Sequence, residues 1–437
     1  MPLLPIAVSQ TMEALCVVTQ GLPIGTNLGL THFLWMQVSG ALLPARGALF
    51  PALQTIGLPP PDIRHAWAAF RYGAWHTDEL LTTWEAYITT QSQWQEHLYD
   101  GYRPKAVDLT GYWRPALRGL KTKLYCPTAG KALPAVVLAV IARVGSVNGQ
   151  RVPLITDLVR SDLNVPSEAV LRTRVVRQVA KTLGEDEMPV LDAGFKVREL
   201  QEAELSRYVL RLAANFTARR NVLPPYKGHG RHPEYGELVR PLPRRWKGKL
   251  IPATPPDRVE TWKEDGLEFR AEFWDKVVRP DLKVHPDNPT LNVIAIHDPR
   301  FHEPWLLGCP LRLSGPALRG LFRDRWPVEQ VPLAGKQMLG GARQFVSAPE
   351  SCQRLPELNL LSGAIVTYLA ATLPAAPTGF WDRNPKPTPG RLRRLLARVH
   401  FPESYPLPER LRKKASVYDH LPKGIEGHRR TKQALVT

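Results

Sequence analysis

Four residues between positions 322 and 336 have the types and the spacing that could bind and cleave a phosphate ester. Phe322, Arg325, Glu329 and Lys336 follow one another at intervals of three, four and seven residues. On a continuous helix these positions share one face. A lone carboxylate between two cations on such a face is an unusual choice for packing alone. It suits a metal-binding Glu flanked by groups that hold phosphate oxygens.

Two aspartates that belong to apolar, strand-like segments are the partners that Glu329 would need. Asp108 lies near the end of the segment 102–110, and Asp192 directly follows the segment 188–191. A carboxylate at the end of a strand costs little in packing and projects into a cleft at the edge of the sheet. We therefore expect Asp108 and Asp192 to end their strands and to line one cleft with Glu329. Taken singly, each aspartate is more typical of an ordinary solvated residue.

The elements between the two aspartates predict the fold that brings them together. Apolar runs at 131–144 and 151–159 predict two further strands, and the amphipathic spacing of 171–183 predicts a helix. The order is then strand, strand, strand, helix, strand. This order is typical of an α/β fold that opens with hairpin-linked strands and a crossover helix.

The segment that carries Glu329 predicts a helix that is interrupted. Ser314 or Gly315 is expected to begin it, with Pro316 in the first turn. Pro327 would remove a backbone hydrogen bond from the helix interior at a cost of about 3 kcal/mol. A kink or a restart is therefore expected just before Glu329.

The spacing of the four residues resembles the signature of the DDE transposases of bacterial insertion sequences. That signature is Tyr, two residues, Arg, three residues, Glu, six residues and Lys, and Phe322 is the one departure from it. The resemblance implies an RNase H-like catalytic core in which Asp108, Asp192 and Glu329 are the catalytic residues and bind Mg²⁺, with Mn²⁺ as an alternative. Three carboxylates can hold two such ions when one of them bridges, and we assign the bridge to Asp108.

The resemblance also implies roles for the residues around Glu329. Arg325 and Lys336 would hold DNA phosphates, and Trp326 would stack on a base displaced from the duplex. Phe322 lacks the hydroxyl through which the Tyr of the family contacts a phosphate. The alternative for Phe322 and Trp326 is that both are core aromatics.

The distance from Asp192 to Glu329, 137 positions, is too long for a bare core of this kind. Some members of the resembled family carry a β-rich insertion here, and residues 221–290 correspond to it. The segment 226–250 contains seven Lys or Arg and two Glu, interleaved with aromatic residues, which suits contact with a nucleic-acid backbone and unstacked bases. The alternative is a solvated basic loop. The residues expected to bind DNA there are Arg240, Arg244, Arg245, Lys247 and Lys249.

The charge of the chain indicates a polyanionic partner, which the resemblance implies is double-stranded DNA. The 437 residues carry a formal net charge of +18, and an excess of this size favours nucleic acid. Residues 1–100 contain three Arg, no Lys and seven acidic residues, so they contribute −4 and the rest of the chain contributes +22. The electrostatic footprint is therefore expected in the central and C-terminal parts.

The two ends of the chain predict helical regions. Residues 1–100 are expected to form a helical N-terminal domain, either a helix-turn-helix for DNA recognition or a helical packing domain. Residues 351–437 are expected to be helical and basic, and the resemblance implies that this region pairs two monomers as a homodimer on DNA. From about residue 421 we expect a basic tail that is disordered without DNA. The RNase H-like core then comprises residues 101–220 and 291–350.

Several classes of protein are disfavoured by the sequence. The longest apolar run, 132–142, is too short to cross a membrane. No Lys or Arg precedes Arg46, so the positively charged segment that begins a secretory signal peptide is not expected. The four cysteines form no CxxC pair, which indicates free thiols in the cytoplasm. Motifs for phosphate-binding loops, serine hydrolases and zinc proteases are missing.

The resulting hypothesis is a cytoplasmic DNA transposase. It would bind the terminal inverted repeats of its element, cleave phosphodiesters and join the 3′ ends to target DNA by two-metal catalysis. The alternative is a non-catalytic DNA-binding protein derived from a transposase. The trio of carboxylates favours the enzyme, whereas Phe322 and the prolines near Glu329 favour the alternative.

Overall fold

The protein is a mixed α/β molecule with a large, mostly open sheet and with helices at both ends of the chain. A computed structural model describes residues 3–165, 168–226 and 228–411. The basic tail predicted from residue 421 lies outside the described residues. The α/β class and the helical character of both ends are confirmed.

The described residues form eleven α-helices, five of which precede the first strand. None of these helices is both long and apolar enough to reach across a lipid bilayer. The helices are α1 (Leu3–Thr19), α2 (Thr26–Val38), α3 (Leu49–Thr55), α4 (Pro60–Tyr72), α5 (Thr77–Thr89), α6 (Glu168–Thr182), α7 (Val197–Glu202), α8 (Gly315–Arg323), α9 (Gln330–Leu333), α10 (Pro349–Thr372) and α11 (Pro389–Leu396).

The same residues form fifteen strands, thirteen of which join one mixed sheet. The strands are β1 (Trp94–Glu96), β2 (Arg103–Trp113), β3 (Lys123–Cys126), β4 (Lys131–Val147), β5 (Gln150–Arg160), β6 (Glu187–Leu191), β7 (Val209–Arg211), β8 (Ala218–Arg220), β9 (Leu238–Val239), β10 (Arg244–Trp246), β11 (Lys249–Ile251), β12 (Arg258–Glu264), β13 (Leu267–Val278), β14 (Leu291–His297) and β15 (Trp305–Cys309). Across the sheet the order is β1-β4-β2-β6-β7-β15-β14-β13-β8-β9, with β3 and β5 paired to β4 and β12 paired to β13.

Three parallel strands form the centre of the sheet. β2 pairs with β6, and β6 pairs with β7, in parallel, whereas β4 pairs antiparallel with both β2 and β5. The order β5-β4-β2-β6-β7 therefore contains three antiparallel strands followed by two parallel ones, which are reached through α6 and α7. Parallel neighbours need such crossover connections, which explains why helices separate these strands in the sequence.

β4 is apolar over most of its length because both of its faces are buried. Val136, Leu138 and Val140 face a core that the N-terminal helices and α10 share with the sheet. Val137 and Ala139 face a second core, to which α6 contributes. Since the first core includes buried residues of α1, α2, α4 and α5, the N-terminal helices and the sheet pack together.

Residues 221–290 contain β9 to β13, and most of these strands extend the central sheet. β13 pairs with β14 on one side and with β8 and β12 on the other. β10 and β11 pair with each other and form a separate two-stranded sheet. The segment predicted to be β-rich is therefore continuous with the strands that surround it, apart from this hairpin.

One prediction about strand ends was wrong. β2 continues to Trp113, so Asp108 lies inside the strand and not at its end. The antiparallel pairing with β4 continues to Trp113, whereas the parallel pairing with β6 stops at Val107. Asp108 therefore lies in the part of β2 that has lost its parallel neighbour. β6 ends at Leu191, and Asp192 follows it as predicted.

The helix that carries Glu329 is interrupted, as predicted. α8 begins at Gly315, and the hydroxyl of Ser314 caps its first turn. A 3₁₀ turn over Trp326–Glu329 follows α8, because Pro327 cannot donate a backbone hydrogen bond to a continuing helix. The uninterrupted helical face expected for the four spaced residues is therefore not formed.

A buried ion pair between α10 and β5 leads to a test of stability. The carboxylate of Glu357 is almost fully buried and accepts hydrogen bonds from Arg160 at 2.6 and 2.7 Å. We expect Glu357→Gln to lower the free energy of unfolding by roughly 1–3 kcal/mol, because Arg160 loses a charged, buried partner. Urea unfolding followed by circular dichroism measures this. Glu350→Gln removes an exposed partner of Arg160 and should cost less than about 1 kcal/mol, so equal losses would contradict the prediction.

Candidate active site

Asp108 and Asp192 are brought side by side by the pairing of two parallel strands. The last pair in the register joins Val107 of β2 to Leu191 of β6, and each aspartate is the next residue in its chain. β6 ends at this point, so the parallel pairing of β2 with β6 stops just before Asp108. The two carboxylates, expected from the sequence to share a cleft, lie at a break in the sheet.

Asp192 is fixed by the turn that follows β6. One oxygen of its carboxylate, Oδ1, accepts a hydrogen bond from the backbone N–H of Gly194 at 3.0 Å. A Cβ atom at Gly194 would lie only 2.9 Å from that oxygen. Glycine therefore lets the backbone approach the carboxylate closely, and the second carboxylate oxygen stays available to a ligand.

Asp108 is the point around which the predicted site residues gather. Burial is the largest cause that raises the pKa of Asp108, and the charge of Asp192 is the next. Glu329 raises this pKa as well, Arg325 lowers it, and the result is about 7. Charges act on one another in this way only at short range in a protein surrounded by salt water. Residues from three distant parts of the chain therefore share one electrostatic site.

Glu329 is paired with Arg325. The Nη2 atom of Arg325 lies 2.8 Å from Oε1 of Glu329 in an ion pair. The side chain of Arg325 is buried, whereas that of Glu329 is 49% exposed. The Nε atom of Arg325 is buried and makes no hydrogen bond within the described part of the chain.

Lys336 reaches β2 from a π-helical turn, Ala334–Met338. Its Nζ atom donates a hydrogen bond to Oγ1 of Thr110 and lies 4.9 Å from the ring centre of Tyr112. Burial lowers the pKa of Lys336 to about 8, and the charge of Asp108 opposes that shift. The ammonium therefore lies on the same face of β2 as Asp108, since alternate residues of a strand share a face. The hydroxyl of Thr110 is therefore engaged by Lys336.

Phe322 and Trp326 belong to an aromatic cluster next to the site. Phe322 is buried, and its ring centre lies 5.2 Å from that of Trp305 and 5.7 Å from that of Trp326. Trp326 is half-buried and packs edge-on against Trp305 at 5.2 Å. Phe322 therefore contributes to the core, which is the alternative that the sequence left open for it.

Trp326 also lines a cavity of about 530 Å³. Phe301 and three arginines, Arg151, Arg300 and Arg323, line the same cavity. Its volume lies within the range of small-molecule sites. None of the three predicted catalytic carboxylates lines it. The cavity is therefore a neighbour of the carboxylate site, from which the 3₁₀ turn separates it.

Sequence reasoning missed Asp324, which is fully buried. Its carboxylate contacts His97, Tyr99 and Arg151, residues that are 173 or more positions away in the sequence. An acidic residue in a turn is ordinarily solvated, so the residue type gave no sign of this role. The available signal was its position inside the spaced motif.

The five basic residues predicted to bind DNA are divided by their exposure. Arg245, Lys247 and Lys249 of the β10–β11 hairpin are exposed, whereas Arg240 and Arg244 are half-buried. Lys247 and the glycine after it have φ angles of +47° and +79°, the left-handed conformation that a tight two-residue turn requires. The hairpin therefore presents three cations to solvent.

The donor set fits a divalent cation at Asp108 and Asp192 and is incomplete at Glu329. Carboxylate oxygens are the ligands that Mg²⁺ prefers. Burial and then the charge of Asp192 raise the pKa of Asp108, and a cation would favour the ionised form of this carboxyl group. Within the described ranges, no group of three or more His, Cys, Asp or Glu side chains is close enough to hold one metal ion. One oxygen of Glu329, Oε1, is paired with Arg325.

The comparisons with family models and with curated proteins identify no relative of this chain. No protein-family model matches the chain, and no curated protein matches it at a significant level. The functional argument therefore depends on the geometry of the site and on the spacing of its residues.

Asp108→Asn should stabilise the protein at alkaline pH. A carboxyl group whose pKa is raised by folding costs stability as the pH rises from its unfolded pKa, near 4, to its folded pKa, about 7. Asn cannot ionise and is spared this loss. We expect the midpoint of thermal unfolding to exceed that of the wild type by roughly 2–4 °C at pH 8 and to match it near pH 4.

The matched control for this measurement is Asp186→Asn. Asp186 accepts a hydrogen bond from Arg103, which lowers the pKa of its carboxyl group. Its substitution should therefore destabilise the protein at pH 8, opposite in sign to Asp108→Asn. A loss of stability at pH 8 in Asp108→Asn would contradict the cost assigned to its burial.

Proposed function

We propose that the chain is a DNA transposase of the DDE type, which cleaves phosphodiesters at the ends of its element and joins the 3′ ends to target DNA. The observation that carries this proposal is the gathering of Arg325, Glu329 and Asp192 around Asp108. An acid such as Asp108, whose pKa is raised by burial and then by a neighbouring carboxylate, is an expensive arrangement for a structural core. Such perturbed acids are typical of functional sites.

The topology supports an RNase H-like core. The strands β2, β4 and β5, the helix α6, the strand β6, the helix α7 and the strand β7 follow one another in the chain, and the sheet order is β5-β4-β2-β6-β7. Asp108 belongs to the first of these core strands, and Asp192 follows the fourth. The resemblance to DDE transposases implies this placement. The strands β9 to β13 then correspond to the β-rich insertion before Glu329.

The residues of the site suit an in-line displacement at phosphorus. Mg²⁺ held by Asp108, Asp192 and Glu329 would supply Lewis-acid activation of the attacking and leaving oxygens, with Mn²⁺ as an alternative. The guanidinium of Arg325 would hold a phosphate oxygen, and a charge-assisted hydrogen bond of this kind is strong. Lys336 stays mostly protonated at neutral pH, given its pKa of about 8, and offsets phosphate charge on the same face of β2.

The cavity beside Trp326 suits a base that has left the duplex. Trp326 and Phe301 offer aromatic surface on which any base can stack. The arginines that line the cavity favour the attached phosphate. Phe322, buried in the cluster, contributes packing and no phosphate contact.

Double-stranded DNA, in the form of inverted repeats and target, is the partner that this proposal requires. The net charge of +18 and the exposed cations of the β10–β11 hairpin support such a partner in the cytoplasm. In the C-terminal region, Phe380 and Trp381 are 93% and 67% exposed. Exposed aromatic pairs mark interaction surfaces, which supports pairing of two monomers into a homodimer on DNA.

A second candidate is a DNA-binding protein that has lost catalysis. The observation in its favour is the ion pair of Arg325 with Glu329, which engages one oxygen of the third carboxylate. Binding of DNA without any metal-dependent cleavage would support this candidate. The retained cost of ionising Asp108 beside Asp192 favours the enzyme.

Alanine substitution of each carboxylate tests the proposed chemistry. Asp108→Ala, Asp192→Ala and Glu329→Ala should each lower Mg²⁺-dependent cleavage by more than roughly 100-fold, since loss of a mere supporting group already costs up to that factor. The substrate is a supercoiled plasmid that carries the ends of the element, taken from the sequences that flank the gene. Mobility-shift assays should show repeat binding within a few-fold of the wild type.

Glu350→Ala is the control for these variants, because Glu350 is an exposed glutamate on α10, outside the site. It should cleave at the wild-type rate. Full cleavage by any one of the three variants would remove that residue from the catalytic set. Binding without cleavage by the wild type would favour the non-catalytic candidate.

The salt dependence of DNA binding tests the β10–β11 hairpin. A triple variant with Gln at Arg245, Lys247 and Lys249 should bind duplex DNA more weakly. The slope of log K against log salt should fall in magnitude by about 0.9 for each lost phosphate contact. Fluorescence anisotropy between 50 and 200 mM salt, roughly the range over which such contacts matter, measures the slope. An unchanged slope would contradict the assignment of these residues to DNA contacts. The control is a triple variant that replaces three exposed lysines outside the insertion, Lys121, Lys123 and Lys131.

A further inference from the structure

The buried carboxylate of Asp324 joins three segments of the chain. Its Oδ2 atom lies 2.6 Å from Nδ1 of His97 and accepts a hydrogen bond from the hydroxyl of Tyr99 at 2.9 Å. Its Oδ1 atom accepts a hydrogen bond from Nε of Arg151 at 2.7 Å. His97 and Tyr99 lie between β1 and β2, and Arg151 lies at the start of β5. One side chain therefore ties the end of α8 to two other parts of the protein.

The backbone at Asp324 is held as well. Asp324 is the residue that ends α8, and its N–H donates to the carbonyl oxygen of Gly320 at 3.1 Å. The next residue, Arg325, immediately precedes the 3₁₀ turn Trp326–Glu329. A turn of four residues has little stability of its own. Its orientation must therefore come from the residues that anchor it.

Gly320 allows the closest of these contacts. A Cβ atom at Gly320 would lie 2.2 Å from Cε1 of Tyr99, closer than any real Cβ contact. α8 and Tyr99 therefore approach each other at a distance that only glycine permits. Gly320→Ala would displace Tyr99 from Asp324 and leave the carboxylate itself unchanged.

Burying a carboxylate in this position costs free energy, so a geometric purpose would explain why it is there. Removing two or more charges from water costs several kcal/mol per ion, and apolar residues of similar volume often pack as stably. The three partners of Asp324 come from elements that surround the 3₁₀ turn, so together they fix its place and direction. Hydrogen-bonded groups behind a functional residue commonly orient it in this way.

We propose that Asp324 is a positioning residue, which holds the 3₁₀ turn so that Arg325 and Glu329 face Asp108. The inference rests on the proposed function, because it gives the turn a catalytic purpose. Asp324 itself touches neither DNA nor metal in this scheme. It acts through the residue that follows it and through the turn.

The test compares three full-length variants: Asp324→Asn, Gly320→Ala and, as the control, Glu357→Gln. Glu357→Gln also removes a buried carboxylate from an arginine, but on α10. Hydrogen exchange of peptides that cover residues 324–333 measures the order of the turn. The Mg²⁺ concentration that gives half-maximal cleavage measures the placement of Glu329, separately from the maximal rate.

Asp324→Asn should raise exchange in 324–333 and should raise the half-maximal Mg²⁺ concentration about tenfold or more, the usual effect of losing a group that orients a ligand. Gly320→Ala should shift both quantities in the same direction by less. Glu357→Gln should lower the unfolding midpoint and leave both quantities at their wild-type values. Tyr99→Phe, which removes one hydrogen bond, replaces Asp324→Asn if the latter does not fold.

Two outcomes separate this inference from the proposed function. If the wild type does not cleave DNA with Mg²⁺ or Mn²⁺, the proposed function fails, and the exchange data alone decide whether Asp324 orders the turn. If the wild type cleaves but Asp324→Asn shifts exchange and Mg²⁺ dependence no more than Glu357→Gln does, the positioning role is overturned and the proposed function stands.

Discussion

The site depends on one constraint, which is that two parallel strands stop pairing immediately before two carboxylates. The register that joins Val107 to Leu191 leaves Asp108 and Asp192 as neighbours with no strand between them. Burial raises the pKa of Asp108 most, and the charge of Asp192 raises it further. Arg325 lowers it from one side. The chain that leaves α8 therefore brings a cation close to these two acids.

The strands around this pair could be predicted because their sequence patterns are local. β4, β5 and β6 are apolar runs, and α6 has helical periodicity, so their order follows from the chain itself. The position of Asp108 inside β2 could not be predicted. The length of β2 is set by its antiparallel partner, β4, and that pairing depends on residues about thirty positions away. Local apolar character ends at Leu109, whereas the ladder of hydrogen bonds does not.

The environment of the Glu329 turn shows the same limit. Pro327 predicts an interruption of the helix, and the structure has one. No local sequence feature predicts the direction in which the chain leaves α8. That direction is set by His97, Tyr99 and Arg151 through Asp324, and these contacts exist only in the folded chain. Because the helix is broken, the residues of the motif reach different partners. Arg325 pairs with Glu329, and the side chain of Lys336 instead reaches β2 from its π-helical turn.

The burial of α2 has a consequence for how such a protein can diversify. Every residue of this helix after the first is buried, Phe33 stacks on Phe70, and Gln37 accepts a hydrogen bond from Ser362 of α10. A gene fusion or deletion that replaced the first hundred codons would remove core residues against which α10 packs. α10 also packs on the sheet that carries the two aspartates. Inheritance must therefore keep these helices together with the face of the sheet that carries Asp108 and Asp192, so substitutions at the surface would be tolerated more readily than the exchange of whole modules.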